Sequence, residues 1–111
     1  PWRSVYKIHY LSDTDVTFVL TSGGHNAGIV SEIGRSNRHY RVAHKTDSEP
    51  CVDADAWAEK AELREGSWWP AWQEWLAARS SDDKVAPPPM GAPDEGLPAL
   101  EDAPGTYVHQ R

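Results

Sequence analysis

At 111 residues, with 39% hydrophobic and 25% charged side chains, the chain has the composition of a soluble globular protein. It is too short for a complete doubly wound sheet with helices on both faces, which needs well over about 150 residues. Its 17 acidic and 11 basic residues give a net charge of −6, which argues against a nucleic-acid partner, because phosphate neutralisation needs clustered positive charge.

A single Cys excludes an internal disulfide and suits a reducing compartment. No apolar run approaches the roughly 18 residues of a membrane span, and no charged-then-apolar leader is present, so the default expectation is a cytoplasmic protein.

Trp2, Val5, Tyr6, His9 and Tyr10 recur at helical spacing, leaving Arg3, Ser4 and Lys7 on the other side, so an amphipathic helix is expected, with Pro1 in its first turn. His9 reads as a helix-face residue with its ring against a sheet and one nitrogen bonded, rather than as a catalytic group. Ser12-Asp-Thr14 breaks the pattern. Val16, Phe18, Val19 and Leu20 then form a nearly continuous apolar run, the pattern of a strand covered on both faces, as in a parallel sheet.

Ser22-Gly-Gly24 stops that strand at the end where parallel sheets carry their chemistry. The glycines there allow backbone angles that a Cβ forbids, so His25 can be aimed into a crevice, and Gly28 adds a second permissive point. His25 is the candidate catalytic residue.

Gly34–Asn37 is a turn cluster, and residues 38–43 alternate as a half-exposed strand at a sheet edge, with Tyr40 and Val42 on one face and His39, Arg41 and Ala43 on the other. Arg35, Arg38, Arg41 and Lys45 make the one basic cluster, read as a solvated face. Five histidines raise the question of a metal, but there is no His-x-x-x-His or Cys-x-x-Cys pair, and His39 and His44 point to opposite strand faces, so no metal site is expected.

Cys51 lacks the Gly-x-Cys-x-Gly elbow that exposes a nucleophile, and Glu49 and Asp53 disfavour a thiolate, so it reads as passive. Asp53 caps an expected helix running to residues 63–65, with Val52 and Trp57 as a hydrophobic staple and Gly66 as its end. Ser67 caps a second helix with Pro70 in its first turn. Trp68, Trp72 and Trp75, with Trp69 and Leu76 alongside, give it one broad apolar face. That face is expected to anchor the helix on the body of the domain by burial, a polymer-binding platform being the alternative. Six of the nine prolines follow from residue 87 onward, where an extended strap is expected, pinned by Met90, Leu97, Leu100, Tyr107 and Val108 or left mobile.

Ser22-Gly-Gly-His-Asn-Ala-Gly-Ile-Val30, with Gly66-Ser-Trp-Trp-Pro-Ala-Trp-Gln-Glu-Trp-Leu76, Ala86-Pro-Pro-Pro-Met-Gly-Ala-Pro93 and Asp102-Ala-Pro-Gly-Thr-Tyr-Val108, resembles the C-terminal part of class I poly(3-hydroxyalkanoate) synthases. The resemblance covers essentially the whole chain. It implies a C-terminal fragment of an α/β-hydrolase-like fold, whose catalytic domain uses Cys, Asp and His in that chain order to polymerise 3-hydroxyacyl-CoA with release of CoA; no cofactor is expected.

His25 matches the histidine of that set. The nucleophile is absent, and the acid of the family lies just before a Pro-Trp pair like Pro1-Trp2. A start at Pro1 rather than Met suits an excised segment. The division implied is 1–48 as a piece of the catalytic domain, 49–79 as a Trp-rich helical pair and 80–111 as the strap. The implied partners are 3-hydroxyacyl-CoA in the intact enzyme and a polyester granule surface, with CoA phosphates as the functional reading of the basic cluster. The unpaired edge of the first strand adds an expectation of self-association. A non-catalytic interaction module, or a purely structural lobe, is the rival to a catalytic fragment.

Overall fold

The computed structural model describes residues 2–111; the expectation for Pro1 lies outside the described residues. The chain forms two compact units, one ending at Ser80 and the other Ser81–Arg111.

In the first unit, α1 (Trp2–Tyr6) and α2 (Ile8–Leu11) follow each other across a turn at Lys7. Tyr6 and His9 are buried and Trp2 partly so, while Val5 and Tyr10 are exposed, so the buried stripe is narrower than the sequence spacing suggests. His9 stacks on Tyr6 at 4.1 Å between ring centroids and meets Phe18 edge-on at 5.3 Å. Its Nδ1 donates to the Tyr6 carbonyl at 3.0 Å, the one bonded nitrogen expected.

Strand β1 (Val16–Thr21) is joined to β2 (His39–Lys45) by a long loop, and β3 (Glu62–Glu65) completes a sheet of order β1-β2-β3 with both pairings antiparallel. Three expectations are corrected here. The first strand pairs antiparallel, not parallel, within this chain. The second is the central strand, not an edge, because residues 62–65 leave the helix expected of them and pair with it. Helix α4 (Ala54–Lys60) stops at Ala61, whose extended backbone (ψ 136°) turns the chain onto the sheet. Gly66 accordingly ends a strand, its N–H bonded to the Arg38 carbonyl at 2.6 Å.

The start of α4 is as the sequence requires: the Asp53 carboxylate accepts from the Asp55 and Ala56 N–H groups at 3.0 and 2.9 Å. One sheet face, with Val16, Phe18, Leu20 and Ala43, packs on Tyr6, Trp57 and Ala61, and Val52 packs against the same cluster. Phe18 meets Trp57 edge-to-face at 5.0 Å and 88°, the arrangement that aromatic quadrupoles favour.

The other face, with Thr17, Val19, Val42 and His44, looks toward α5 (Trp69–Ala77) across an open groove of about 580 Å³. That second face of β1 is only partly screened, with Thr17 exposed and Val19 half-buried. The burial expected of the tryptophan face is not found. No residue of α5 is buried, and Trp72 and Trp75 keep 50% and 40% of their surface exposed.

The second unit is not a plain extended strap. Strands β4 (Gly91–Ala92) and β5 (Leu97–Pro98) pair antiparallel around a 3-10 turn at Pro93–Glu95, and a second 3-10 turn spans Tyr107–His109. Met90, Leu97, Leu100 and Tyr107 are exposed. No helix among the described residues is long and apolar enough to cross a membrane.

Candidate functional site

His25 follows β1 by four residues and immediately precedes α3 (Asn26–Ile29), a single turn of helix. Its backbone is at φ 53° and ψ −132°, on the positive side that favours glycine, and its side chain is exposed. A histidine in that conformation carries strain of about 1–3 kcal/mol and persists only where its surroundings hold it there. The ring makes no hydrogen bond among the described residues.

The surroundings supply the hold in four places. At the stem, the Ser22 N–H donates to the His39 carbonyl and the His39 N–H to Ser22 Oγ, both at 2.9 Å, so the loop leaves β1 only after a last rung with β2. Gly23 (φ 88°) turns back against the Arg38 guanidinium. Gly28 is buried inside the loop, where an added Cβ would fall 2.5 Å from Thr21 Oγ1 and 2.7 Å from the Gly23 carbonyl oxygen. That contact requires glycine whatever the backbone angle.

The fourth hold comes from the far end of the unit. The indole N–H groups of Trp68 and Trp69 both donate to the Ile29 carbonyl, each at 3.0 Å, and the Ser67 hydroxyl donates to the Ser31 carbonyl. Ser67 also accepts from the Trp69 N–H at 3.1 Å, capping the first turn of α5 as the sequence leads one to expect. These three donors stand 36 to 40 residues from their acceptors, and nothing in the local sequence announces them.

The other residues singled out by sequence are dispersed. Arg35 pairs with Glu32 at 3.2 Å, Arg41 donates to the Ala61 carbonyl at 3.1 Å and Lys45 to the Thr46 carbonyl at 3.0 Å, so of the basic cluster Arg38, against Gly23, is the member at the His25 loop. Cys51 is exposed, its thiol 3.5 Å from the Val52 carbonyl. His39 and His44 lie on opposite sheet faces by register, and His44 bonds Thr17 Oγ1 at 2.9 Å inside the groove below α5. Arg79 lies over the Trp75 ring at 4.1 Å on the groove's other wall.

The chain is therefore a mixed α/β segment that carries an exposed, conformationally forced histidine at the end of a strand. No family model matches it. It is 39% identical over all 111 residues to poly(3-hydroxyalkanoate) polymerase 2 of Ectopseudomonas oleovorans, covering 19% of that protein. It is 41% identical, again over its full length, to the poly(3-hydroxyalkanoate) polymerase subunit PhaC of Rhizobium meliloti, covering 17%. With the corresponding subunit of Cupriavidus necator it shares 32% identity over 108 residues, 97% of this chain and 17% of that one. The chain is homologous, along its whole length, to the C-terminal segment of poly(3-hydroxyalkanoate) polymerases. It spans less than a fifth of the length of these curated relatives.

Proposed function

We propose that this segment supplies the general base of a poly(3-hydroxyalkanoate) polymerase, and that the base is His25. The supporting observation is the forced backbone at His25, φ 53°, in a braced loop at the end of β1. A strained, exposed histidine at a strand end is the kind of feature that persists where geometry serves chemistry. The strand, turn and histidine loop correspond in this reading to the strand-end corner of an α/β-hydrolase-like fold.

In the intact enzyme the rest of the chain brings the Cys nucleophile and the Asp. His25 takes the thiol proton, the thiolate attacks the acyl thioester of 3-hydroxyacyl-CoA, and CoA departs as its thiol with that proton, leaving the acyl group on the Cys. Deprotonation of a 3-hydroxyl for the next acyl transfer is the second step such a base serves.

Among the described residues there is no activated nucleophile: the Cys51 thiol faces a carbonyl, with Glu49 and Asp53 as its charged neighbours in the chain. The 111-residue chain is expected to release no CoA from 3-hydroxybutyryl-CoA above background. In an intact polymerase carrying this segment, His25→Ala should lower kcat by at least about 100-fold, the scale of lost general-base catalysis. Turnover by the isolated chain that Cys51→Ala abolishes, or an unimpaired His25→Ala polymerase, would each defeat the proposal.

The half-exposed indoles of Trp72 and Trp75 favour a second role beside the first, contact with the polyester product or its granule surface. Co-sedimentation of the chain with polyester granules, lost in a Trp72→Ala, Trp75→Ala double variant, is the expected result.

A further inference from the structure

We infer that Trp68, Trp69 and Ser67 are positioning residues for His25, fastening the trailing end of its loop to the first turn of α5. The inference rests on the reading of His25 as a base, and it identifies what holds that base in place. The two indole N–H groups converge on one carbonyl, that of Ile29, at 3.0 Å each, which fills both oxygen lone pairs. The Ser67 hydroxyl donates to a second carbonyl two residues further on, that of Ser31, with both serines buried.

Between these ties and His25 lies only α3, one helical turn whose Val30 N–H closes onto the Asn26 carbonyl at 2.8 Å. A single turn has no stability of its own in water, since nucleation fixes several dihedrals for one hydrogen bond. The turn therefore depends on its anchors. The leading anchor is the Ser22–His39 rung and the trailing anchor is the tryptophan pair, so His25 is held in its unfavourable backbone conformation between two fixed points. Trp68 and Trp69 hold the loop by their N–H groups, and the Trp68 ring also lines the groove with Trp72 and Trp75, stacked on Trp72 at 5.2 Å.

The test removes the donors and keeps the rings. Two versions are compared, a Trp68→Phe, Trp69→Phe double variant and a chain carrying 3-benzothienylalanine at both positions, in which sulfur replaces the N–H in an otherwise isosteric ring. The isostere guards against a packing defect in the phenylalanine variant. Hydrogen exchange on the 111-residue chain should show the Val30 amide exchanging at least about tenfold faster, while the amides paired between β1 and β2 keep their rates. Trp75→Phe, which removes an indole on the same helix that neither bonds the loop nor stacks on Trp68 as Trp72 does at 5.2 Å, should leave Val30 unchanged.

In an intact polymerase carrying the segment, the isosteric variant should lose about tenfold in kcat with KM for the acyl-CoA unaltered, the pattern of a displaced catalytic group. An unchanged Val30 amide in the isosteric chain would overturn the inference, as would an unchanged kcat beside an inactive His25→Ala polymerase. If His25→Ala turns over normally while the Val30 amide is still released, the general-base reading fails and the tethering of the loop stands.

Discussion

The conformation of His25 is the residue-level fact from which the functional reading grows. Relief of its strain is worth about 1–3 kcal/mol. The extra unfolded-state freedom of glycine costs about 0.5–1 kcal/mol. His25→Gly should therefore stabilise the chain by about 1 kcal/mol while removing the base, measured as a rightward shift of the urea midpoint at constant slope. A loss of stability instead would mean that the side chain contributes contacts to the fold.

Tyr6 makes the second residue-level case. Burial, and after it the charges of Cys51, Tyr10 and Asp53, push its hydroxyl up to about 12, and that hydroxyl donates to the Val52 carbonyl at 2.9 Å. The folded state then holds a proton that the unfolded state has already released above its ordinary value of 10.0. The contribution to stability is complete below pH 10 and is lost as pH rises toward 12. Chemical denaturation across that window should show stability falling with pH, and Tyr6→Phe should flatten the slope.

Among the elements, α4 shows how one residue joins the two halves of the first unit. Its Trp57 packs on Tyr6 of α1 at 5.8 Å, on Phe18 of β1 at 5.0 Å and on Trp2 at 6.2 Å. Trp57→Ala is expected to cost about 3–5 kcal/mol, the range for removing a buried indole, and to lower the thermal midpoint steeply. Trp75→Ala on α5 should cost under about 1 kcal/mol, because that side chain is 40% exposed and leaves no closed cavity. The two indoles are indistinguishable by residue type. A midpoint that responded equally to both would show the groove of α5 to be closed in solution.

At the scale of the whole molecule, the core of the first unit is made entirely of residues before Ser80: Tyr6, Phe18, Trp57 and Ala61 with their partly buried neighbours. A chain ending at Ser80 is thus expected to unfold cooperatively with a thermal midpoint within about 4 °C of the full chain, a shift corresponding to roughly 1 kcal/mol or less for a domain of this size. Loss of the cooperative transition would show that residues 81–111 complete the core.

What the sequence determined by itself is local. The Asp53 cap, the strand at Val16–Leu20, the glycine-hinged histidine after it, the single bonded nitrogen of His9 and the Ser67 cap are decided by residues within a few positions of one another, where side-chain chemistry and backbone propensity act directly. The homology with the polymerases is likewise written in contiguous motifs.

Tertiary structure decided what depends on distant partners. Residues 62–65 lie next to a helix with no breaker between, and they become a strand because β2 offers an open edge to pair with. The apolar run of β1 reads as a strand covered on both faces, whereas in the fold an aromatic cluster covers one face and the other borders an open groove beneath α5. The tether from Trp68 and Trp69 to Ile29 is a matter of two hydrogen bonds between groups 39 and 40 residues apart, and only a folded chain brings them together.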